Sequence, residues 1–161
     1  MTSIAAQLYT VRDFTKTPTD IAETLQKVRA IGYEAIQTSG LGPIEPEELK
    51  RIVDGEGLTI CATHVPFERL RDDMASVVDE HNLWGCDYPA IGGLPKEYRE
   101  EGERGFVRFA EEANDVAQKL SDAGLTFAYH NHSFELEHFG NRTALQILFD
   151  ETDGEVFQFE I

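Results

Sequence analysis

Strand-like and helix-like segments alternate along this chain with a repeat of about 25 to 30 residues, and this alternation restricts the folds open to it. The strand-like segments are rich in apolar and β-branched residues and lie at 3–9, 33–37, 58–65, 88–91, 125–130 and 156–161. The helix-like segments between them lie at 18–30, 46–55, 68–83, 102–123 and 142–150. This order is typical of βα units, in which a helix connects each strand to the next parallel strand. We therefore predict an α/β fold with a parallel sheet, in a single domain over residues 1–161.

The first helix has the clearest end signals. Thr17 is a favoured N-cap residue, Pro18 suits the first helical position, and Asp20 places a negative charge in the first turn. Gly32 is a typical residue just beyond a helix end. The helix is therefore predicted to begin at Pro18 and to end near Ala30.

The composition limits the partners of the chain. Of its 161 residues, 30 are acidic and 14 are basic, and the formal charge of −16 would repel nucleic acid and anionic membranes. No apolar stretch approaches the roughly 18 residues that span a membrane. We therefore expect a soluble, cytoplasmic protein that binds neither nucleic acid nor membranes. Only five of the basic residues are lysines, which is typical of proteins from a high-salt cytoplasm, although an ordinary acidic cytosolic protein would look the same.

The two cysteines and the two histidines outside the strand ends are not expected to belong to the site. Cys61 and Cys86 are the only cysteines, they form no CxxC motif, and we expect both to be buried thiols in a reducing compartment. His81 and His138 are expected at the surface.

Polar residues lie at or near the ends of several predicted strands; they are Gln7, Tyr9, Gln37, His64, His130 and His132. An open, doubly wound sheet usually has a glycine-rich turn after its first strand, and here the segment 7–13 contains no glycine. A site assembled from the ends of many strands is instead typical of a (β/α) barrel. We therefore predict a parallel (β/α) barrel of the TIM type.

The run Tyr129-His130-Asn131-His132 places two imidazoles at the end of the fifth predicted strand. If the alternation of the strand continues, His130 and His132 project to the face opposite Phe127 and Tyr129. Imidazole is the commonest metal-binding side chain and titrates near neutral pH, so the pair predicts a ligand or acid–base cluster. The alternative is a pair of surface or core histidines that bond only to the backbone.

Several stretches of the chain resemble the sugar phosphate isomerase/epimerase family of the xylose isomerase-like TIM-barrel superfamily. They are Gln7-Leu8-Tyr9-Thr10-Val11-Arg12-Asp13, Gly32-Tyr33-Glu34, Thr63-His64-Val65, Gly92-Gly93-Leu94-Pro95, and Tyr129-His130-Asn131-His132 with Phe134-Glu135. These stretches span nearly the whole chain in the expected order, and the last one is similar to the Tyr-His-Asn-His branch.

The resemblance implies chemistry on a small-molecule sugar or sugar phosphate at the C-terminal mouth of a barrel. A divalent metal, Mn²⁺, Mg²⁺, Zn²⁺ or Co²⁺, would support isomerisation, epimerisation next to a carbonyl, or dehydration of a keto-sugar. Removing a proton beside a carbonyl builds up an enediolate, which needs a base near the carbon and a cation on the oxygens. The superfamily also contains abasic-site endonucleases, but a charge of −16 disfavours DNA binding.

The resemblance also assigns roles to the polar residues of the later strands. It implies that His130 is a metal ligand, with substrate hydrogen bonding as the alternative. His132 is expected to face the substrate or to act in proton transfer. Glu135 is expected to be a base or a ligand, with a solvated loop carboxylate as the alternative.

In the earlier strands the same resemblance implies substrate binding. His64 is expected to contact the substrate, with a structural, hydrogen-bonded histidine as the alternative. Tyr9 and Arg12 would hold sugar hydroxyls or phosphate, although a salt bridge at the barrel rim is an equal alternative for Arg12. Gln37 stands where relatives often have an acid, which weakens any role for that position.

The sequence departs from the family pattern at its last residues. Phe159-Glu160-Ile161 ends one residue before the expected Asp ligand, and 161 residues fall short of the roughly 200 to 250 of a complete barrel. We therefore expect a barrel that is incomplete after strand six, with weak metal binding and negligible isomerase activity in the isolated chain. Exposed strand edges would favour self-association, and a non-catalytic half-barrel interaction module is the alternative function.

Overall fold

The computed structural model describes residues 4–161, so Ser3, where the first predicted strand begins, lies outside the described residues. These residues form two compact units. The first unit contains residues up to His64 and the segment Ala75–Pro89, and the second contains Val65–Met74 and Ala90–Ile161. The prediction of a single domain over 1–161 stays a prediction.

The strands form one parallel sheet and one small hairpin. The sheet contains β1 (Ala5–Gln7), β2 (Ala35–Thr38), β3 (Thr59–His64), β4 (Pro89–Ile91), β5 (Phe127–His130) and β8 (Phe157–Glu160). The hydrogen-bonded order of these strands is the same as their order in the chain. Two short antiparallel strands, β6 (His138–Phe139) and β7 (Arg142–Thr143), pair with each other. The predicted α/β fold with a parallel sheet is confirmed.

Seven α-helices lie among the described residues 4–161: α1 (Pro18–Ile31), α2 (Pro46–Gly55), α3 (Phe67–Asp72), α4 (Met74–Trp84), α5 (Lys96–Arg99), α6 (Glu103–Asp122) and α7 (Ala144–Glu151). Helix α1 begins with a capping box, in which Thr17 and Asp20 each accept a hydrogen bond from the other's backbone N–H. It ends at Ile31 and is capped by Gly32, whose φ of 115° is readily adopted only by glycine. The predicted end signals of this helix are confirmed.

The first unit packs the inner faces of its helices on its strands. Ile21 and Leu25 of α1, Leu49 of α2, Ile36 of β2 and Ile60 of β3 are buried in one apolar cluster. Along α1 the buried residues Ile21, Leu25 and Val28 recur every three or four residues, as burial of one helix face requires.

The second unit has an aromatic core. Phe109 of α6 lies 5.7 Å from Tyr129 of β5, measured between ring centroids, and Phe127 lies 4.9 Å from Phe157 of β8. All four side chains are buried. Such edge-to-face and tilted contacts add to the stabilisation that comes from burying large rings.

Some predicted elements differ from the observed ones. Strand β1 ends at Gln7 and is followed by a 3₁₀ segment, Leu8–Phe14, so Tyr9 is not part of the strand. The predicted helix at 68–83 is two helices that break at Asp73, because aspartate side chains favour helix ends over helix interiors. The predicted loop after β5 contains a 3₁₀ turn, Phe134–Leu136.

Two predictions about buried side chains are wrong. His81 is fully buried. Both nitrogens of its ring have hydrogen-bond partners there, since Thr63 Oγ1 lies 2.8 Å from Nε2 and the Val77 carbonyl oxygen lies 2.7 Å from Nδ1. Cys61 is exposed, since it occupies an outward position of the alternating strand β3. Cys86 is buried as predicted, and burial raises the pKa of its thiol to about 11. His138 is exposed as predicted.

No helix among residues 4–161 combines the length and the apolar character that crossing a membrane requires.

Candidate functional site

The ends of β5 and β8 bring an imidazole next to a carboxylate. His130 and Glu160 are register partners in this parallel pair, so their side chains project to the same face. His130 Nδ1 lies 3.0 Å from Glu160 Oε1, and both side chains are about one-quarter exposed, at 24% and 29%. The pair is thus accessible to a small ligand while its backbone is held in the sheet.

His132 lies beside this pair. Its ring centroid is 5.0 Å from that of His130, with the two rings nearly perpendicular. The prediction that the two histidines share one side is confirmed. The His132 ring also packs on the ring of Phe134. These two rings are nearly parallel, and their centroids are 5.7 Å apart.

The turn after β4 approaches the His132 ring closely. A Cβ atom at Gly93 would lie 2.9 Å from His132 Cε1, a distance that side-chain carbons do not normally reach. Gly93 also has a φ of 141°, which L-residues with a side chain rarely adopt. Only glycine therefore lets the His132 imidazole lie at this position.

Glu135 is buried and fixes the turn that carries His132. One carboxylate oxygen accepts a hydrogen bond from the Tyr129 hydroxyl at 2.6 Å, and the other accepts one from the His132 backbone N–H at 2.8 Å. The alternative of a solvated loop carboxylate is therefore wrong. A carboxylate whose two oxygens both accept protein hydrogen bonds is well suited to orient its neighbours.

Tyr129 is held as a neutral phenol. Burial and then the hydrogen bond to Glu135 raise its pKa above the ordinary value of a tyrosine. A protonated Tyr129 can continue to donate to Glu135, so the pair is a stable anchor beneath the histidine turn.

In the first unit, His64 at the end of β3 joins two neutral side chains. Its Nδ1 lies 2.8 Å from Ser39 Oγ, and its Nε2 lies 3.2 Å from Gln37 Nε2. Because an amide nitrogen only donates, the His64 Nε2 accepts and its Nδ1–H donates to Ser39. His64 therefore has the hydrogen bonds of a structural histidine at a strand end, and its predicted role in substrate binding stays a prediction.

Tyr9 and Arg12 lie together on the 3₁₀ segment after β1. The Arg12 guanidinium carbon is 4.3 Å from the Tyr9 ring centroid, and Arg12 Nη1 donates to the Tyr9 carbonyl oxygen at 2.8 Å. No carboxylate among residues 4–161 forms a salt bridge with Arg12, so the alternative of a rim salt bridge is wrong. Both side chains are exposed, and their substrate-binding role stays a prediction.

Two residues of these clusters were missed by the sequence interpretation. Glu160 carried a signal that was not used, since it is a polar residue at the end of a predicted strand, like His64 and His130. Ser39 carried no such signal, because it follows β2 and becomes relevant only when β2 and β3 pair.

The His130–Glu160 pair has the donor chemistry of a divalent-metal site. Imidazole nitrogen suits Zn²⁺, whereas carboxylate oxygen suits Mg²⁺ and Mn²⁺. Neighbouring ligands that each bind a metal at about 2.1 Å are about 3 Å apart, and His130 Nδ1 and Glu160 Oε1 are 3.0 Å apart. These two residues therefore fit a metal as two adjacent ligands.

Known proteins resemble the chain in structure and not in sequence. No family model matches the chain, and no curated protein matches it. A solved structure of a sugar phosphate isomerase/epimerase from Parabacteroides distasonis matches 98% of this chain with a TM-score of 0.78 and 19% sequence identity. That match covers 64% of the Parabacteroides protein, so the chain spans less than two-thirds of its length.

Two further solved structures are similar. A xylose isomerase-like TIM barrel protein from Mycobacterium smegmatis, in complex with magnesium, matches 99% of this chain with a TM-score of 0.69, 15% identity and 66% coverage of that protein. A probable 3-DHS dehydratase from Bacillus anthracis matches 99% with a TM-score of 0.67, 11% identity and 62% coverage of that protein. These likenesses show the fold, and they confirm the predicted resemblance to xylose isomerase-like TIM barrels at that level.

Proposed function

We propose that this chain contributes to a metal-dependent isomerase or epimerase that acts on a sugar or sugar phosphate by proton abstraction next to a carbonyl. The observation that carries the proposal is the His130–Glu160 pair, which places two metal-type donors 3.0 Å apart at the ends of adjacent parallel strands. The ends of strands are where barrels of this fold build their sites. Similarity in fold to a sugar phosphate isomerase/epimerase supports the choice of reaction.

His130 and Glu160 would hold the metal in this proposal. When bound, a divalent cation polarises the substrate carbonyl and stabilises the negative charge of the enediolate. Mn²⁺, Mg²⁺, Zn²⁺ and Co²⁺ are the candidate ions, and the solved structure of the similar Mycobacterium protein is a complex with magnesium.

His132 is the residue that we propose for proton transfer. Its imidazole is exposed beside His130, and an imidazole nitrogen can accept a proton from a substrate carbon or return it. Phe134 and Gly93 restrict where the ring can lie, which keeps its nitrogens in a defined position. Glu135, predicted to be catalytic, is proposed to act by holding the His132 backbone, because both its carboxylate oxygens already accept hydrogen bonds.

The residues of the first unit are proposed to contact substrate hydroxyls or phosphate. His64 can exchange hydrogen bonds with a hydroxyl, and the Arg12 guanidinium can donate to a phosphate or a hydroxyl. Location in the cytoplasm and self-association through exposed strand edges remain predictions.

A dehydratase or lyase acting on a keto-sugar is the second candidate. Fold similarity to the probable 3-DHS dehydratase favours it, and the same first step, loss of a proton beside a carbonyl, serves both reactions. The product distinguishes them, because an epimerase returns an isomer of equal mass whereas a dehydratase releases water. A non-catalytic interaction module is the remaining alternative, and binding of a metal at His130 and Glu160 would argue against it.

The test uses Mn²⁺ as a paramagnetic probe, since relaxation enhancement detects binding that is too weak for calorimetry. In the 161-residue chain, Mn²⁺ should broaden the ring proton signals of His130 and His132 at lower concentrations than those of His138. His130→Ala and Glu160→Gln should each weaken Mn²⁺ binding by about tenfold or more, because losing one ligand removes both affinity and orientation.

His138→Ala is the matched control, since His138 is an exposed histidine in the same unit. It should leave Mn²⁺ binding unchanged. Equal broadening of all histidine signals, or equal effects of the three substitutions, would contradict a metal site at the end of β5.

A further inference from the structure

The turn after β4 meets the residues of β5 and of the turn after it at two places in the second unit. At the first place, Gly93 lies against one edge of the His132 ring, since a Cβ atom there would be 2.9 Å from Cε1 and 3.1 Å from Nδ1. At the second place, the backbone of Leu94, the next residue, forms a hydrogen bond with the Tyr129 hydroxyl. The two contacts are thus made by consecutive residues of one turn.

The Tyr129 hydroxyl serves both turns at once, because a phenol has one donor and can also accept. It donates to a Glu135 carboxylate oxygen at 2.6 Å. It accepts from Leu94, since a backbone N–H only donates, and this contact opposes the rise that burial and the bond to Glu135 cause in the pKa of the phenol. The Glu135 carboxylate accepts the His132 backbone N–H at 2.8 Å. A series of hydrogen bonds therefore runs from Leu94 to His132 through the Tyr129 hydroxyl and one carboxylate.

This series is shielded from water. Tyr129 and Glu135 are fully buried, and Leu94 is nearly so. A buried polar group that loses its partner is not readily satisfied by water, so each bond of the series is costly to break. The Tyr129 ring also packs on Phe109 at 5.7 Å between centroids. Tyr129→Phe would therefore keep the packing of the ring and remove only the hydroxyl.

We infer that Tyr129 is a positioning residue for His132, because its hydroxyl ties the turn after β4 to the turn after β5. The inference rests on the proposed function, in which the His132 imidazole transfers a proton. A displacement of about 1 Å can slow a positioned step by about a hundredfold, so the place of this ring affects the reaction. Tyr129 acts in this way without contact between its own atoms and the substrate.

The experiment is a double-mutant cycle between the two contacts, made in the 161-residue chain. Gly93→Ala forces a methyl group against the His132 ring. Tyr129→Phe frees the turn to move away from that ring. The fall in the urea midpoint that Gly93→Ala causes should therefore be about halved in the Tyr129→Phe background, and the shift of the His132 ring signals should shrink likewise.

Hydrogen exchange at Leu94 is the second measurement of the same variant. Tyr129→Phe removes the acceptor of the Leu94 N–H, so this amide should exchange about fivefold faster or more. Glu135→Gln provides a further variant that retains the hydroxyl and offers an amide oxygen in place of the carboxylate. In Glu135→Gln the exchange of Leu94 should stay within about twofold of the unmodified chain.

Tyr98→Phe is the matched control, because Tyr98 is also a buried phenol of the second unit and donates to a glutamate, Glu112, at 2.6 Å. It removes an equivalent hydrogen bond that does not belong to the series ending at His132. In the Tyr98→Phe background, Gly93→Ala should keep its full effect on the urea midpoint and on the His132 signals. Exchange at Leu94 should change by less than about twofold.

Two results would overturn the role of Tyr129. One is an effect of Gly93→Ala that is equal in the unmodified chain and in Tyr129→Phe, since the two contacts would then be independent. The other is an equal effect of Tyr129→Phe and Tyr98→Phe on Leu94 exchange, which would show a general loosening of the unit.

Mn²⁺ separates this inference from the proposed function. Tyr129→Phe leaves His130 and Glu160 unchanged, so Mn²⁺ should broaden the His130 signals at the same concentrations as in the unmodified chain. The broadening of His132 relative to His130 should change, because the effect depends steeply on distance from the ion. Broadening without selectivity in every variant would contradict the metal site, whereas the double-mutant cycle is measured without metal and decides the role of Tyr129 by itself.

Discussion

The two units both place polar side chains at strand ends, but the chemistry of these side chains differs. In the first unit, an amide, a hydroxyl and an imidazole form the cluster of Gln37, Ser39 and His64. In the second unit, the cluster contains two carboxylates, Glu135 and Glu160, together with two imidazoles. The first cluster is suited to hydrogen bonding, whereas the second contains the charges that bind a cation and transfer a proton.

The two clusters also differ in how they are held. His64 forms hydrogen bonds with the neutral side chains of Gln37 and Ser39, and one such hydrogen bond contributes about 1 kcal/mol. The histidine turn of the second unit depends on the buried carboxylate of Glu135. Removing either this carboxylate or the groups that donate hydrogen bonds to it leaves buried polar groups without partners, which destabilises the fold. A parallel βα fold thus provides the positions, and the residue types at those positions determine whether a cluster carries ionic chemistry.

The largest effect is expected from Glu135→Ala. It leaves the Tyr129 hydroxyl and the His132 N–H without their acceptor, and we expect the free energy of unfolding to fall by about 2–4 kcal/mol. Urea denaturation measures the change. Glu137→Ala is the control, since Glu137 is exposed in the same turn, and it should alter the free energy by less than about 0.5 kcal/mol. Equal small effects would show that the buried carboxylate is not the anchor of this turn.

Alkaline pH should destabilise the second unit through its buried phenols. Burial and then the hydrogen bond to Glu112 raise the pKa of Tyr98 to about 12, and the pKa of Tyr129 is also raised. An unfolded tyrosine titrates at about 10, so this stabilisation is fully present below pH 10 and is lost as pH rises through about 12.

Absorbance at 295 nm, which reports phenolate, measures this effect together with circular dichroism. The phenolate signal of Tyr98 should appear near pH 12 while the fold is intact, and that of Tyr129 should appear only as the protein unfolds. Tyr98→Phe should reduce the pH dependence of stability between pH 10 and 12. A phenolate signal for all tyrosines while the fold is intact would contradict the burial argument.

A smaller effect is expected from Gly93→Ala. The new Cβ would lie 2.9 Å from the His132 ring at a φ of 141°, so the ring must move, at a cost of about 1–2 kcal/mol. The His132 ring signals should shift in the NMR spectrum. Gly140→Ala is the control, because Gly140 has a φ of 63° and nothing within 4 Å of its Cβ position. It should cost about 1 kcal/mol without moving His132.

The smallest effect is expected from Ser39→Ala in the first unit. It removes the acceptor for the His64 Nδ1–H, and we expect the free energy of unfolding to change by about 1 kcal/mol or less. The sensitive measurement is the ¹⁵N NMR spectrum of His64, in which the preference for the Nδ1–H tautomer should weaken. A loss of stability as large as that of Glu135→Ala would remove the difference between the two clusters.

Local patterns made the order and type of most elements predictable. Helix α2 has the predicted limits, Pro46 and Gly55, and helix α1 extends one residue beyond its predicted end. Proline at a helix start and glycine at or after a helix end act within one turn of chain, so they can be interpreted without the rest of the fold. The 3₁₀ segment Leu8–Phe14 is not predicted, because its mixture of apolar and polar residues follows neither the strand period nor the helix period for long enough.

Side-chain environments were predicted less well. His81 has polar neighbours in the sequence. In the structure, however, its ring is buried and forms a hydrogen bond with the hydroxyl of Thr63, which lies 18 residues earlier in the chain. Glu135 follows a histidine-rich turn that resembles a surface loop, but Tyr129 lies behind it. In both cases the partner is chosen by the packing of the chain on itself, which residue types alone do not specify.

The sequence by itself determined the alternation of strands and helices, the acidic charge, and the presence of His130 and His132 on one side of a strand end, because these depend on periodicity and composition. Only the tertiary structure decided that Glu160 meets His130, that Glu135 is buried, and that the Leu94 backbone meets the Tyr129 hydroxyl. These contacts depend on strand register and on close approach between segments distant in sequence. Both are set when the chain packs, since many weak interactions along the chain must then be satisfied together.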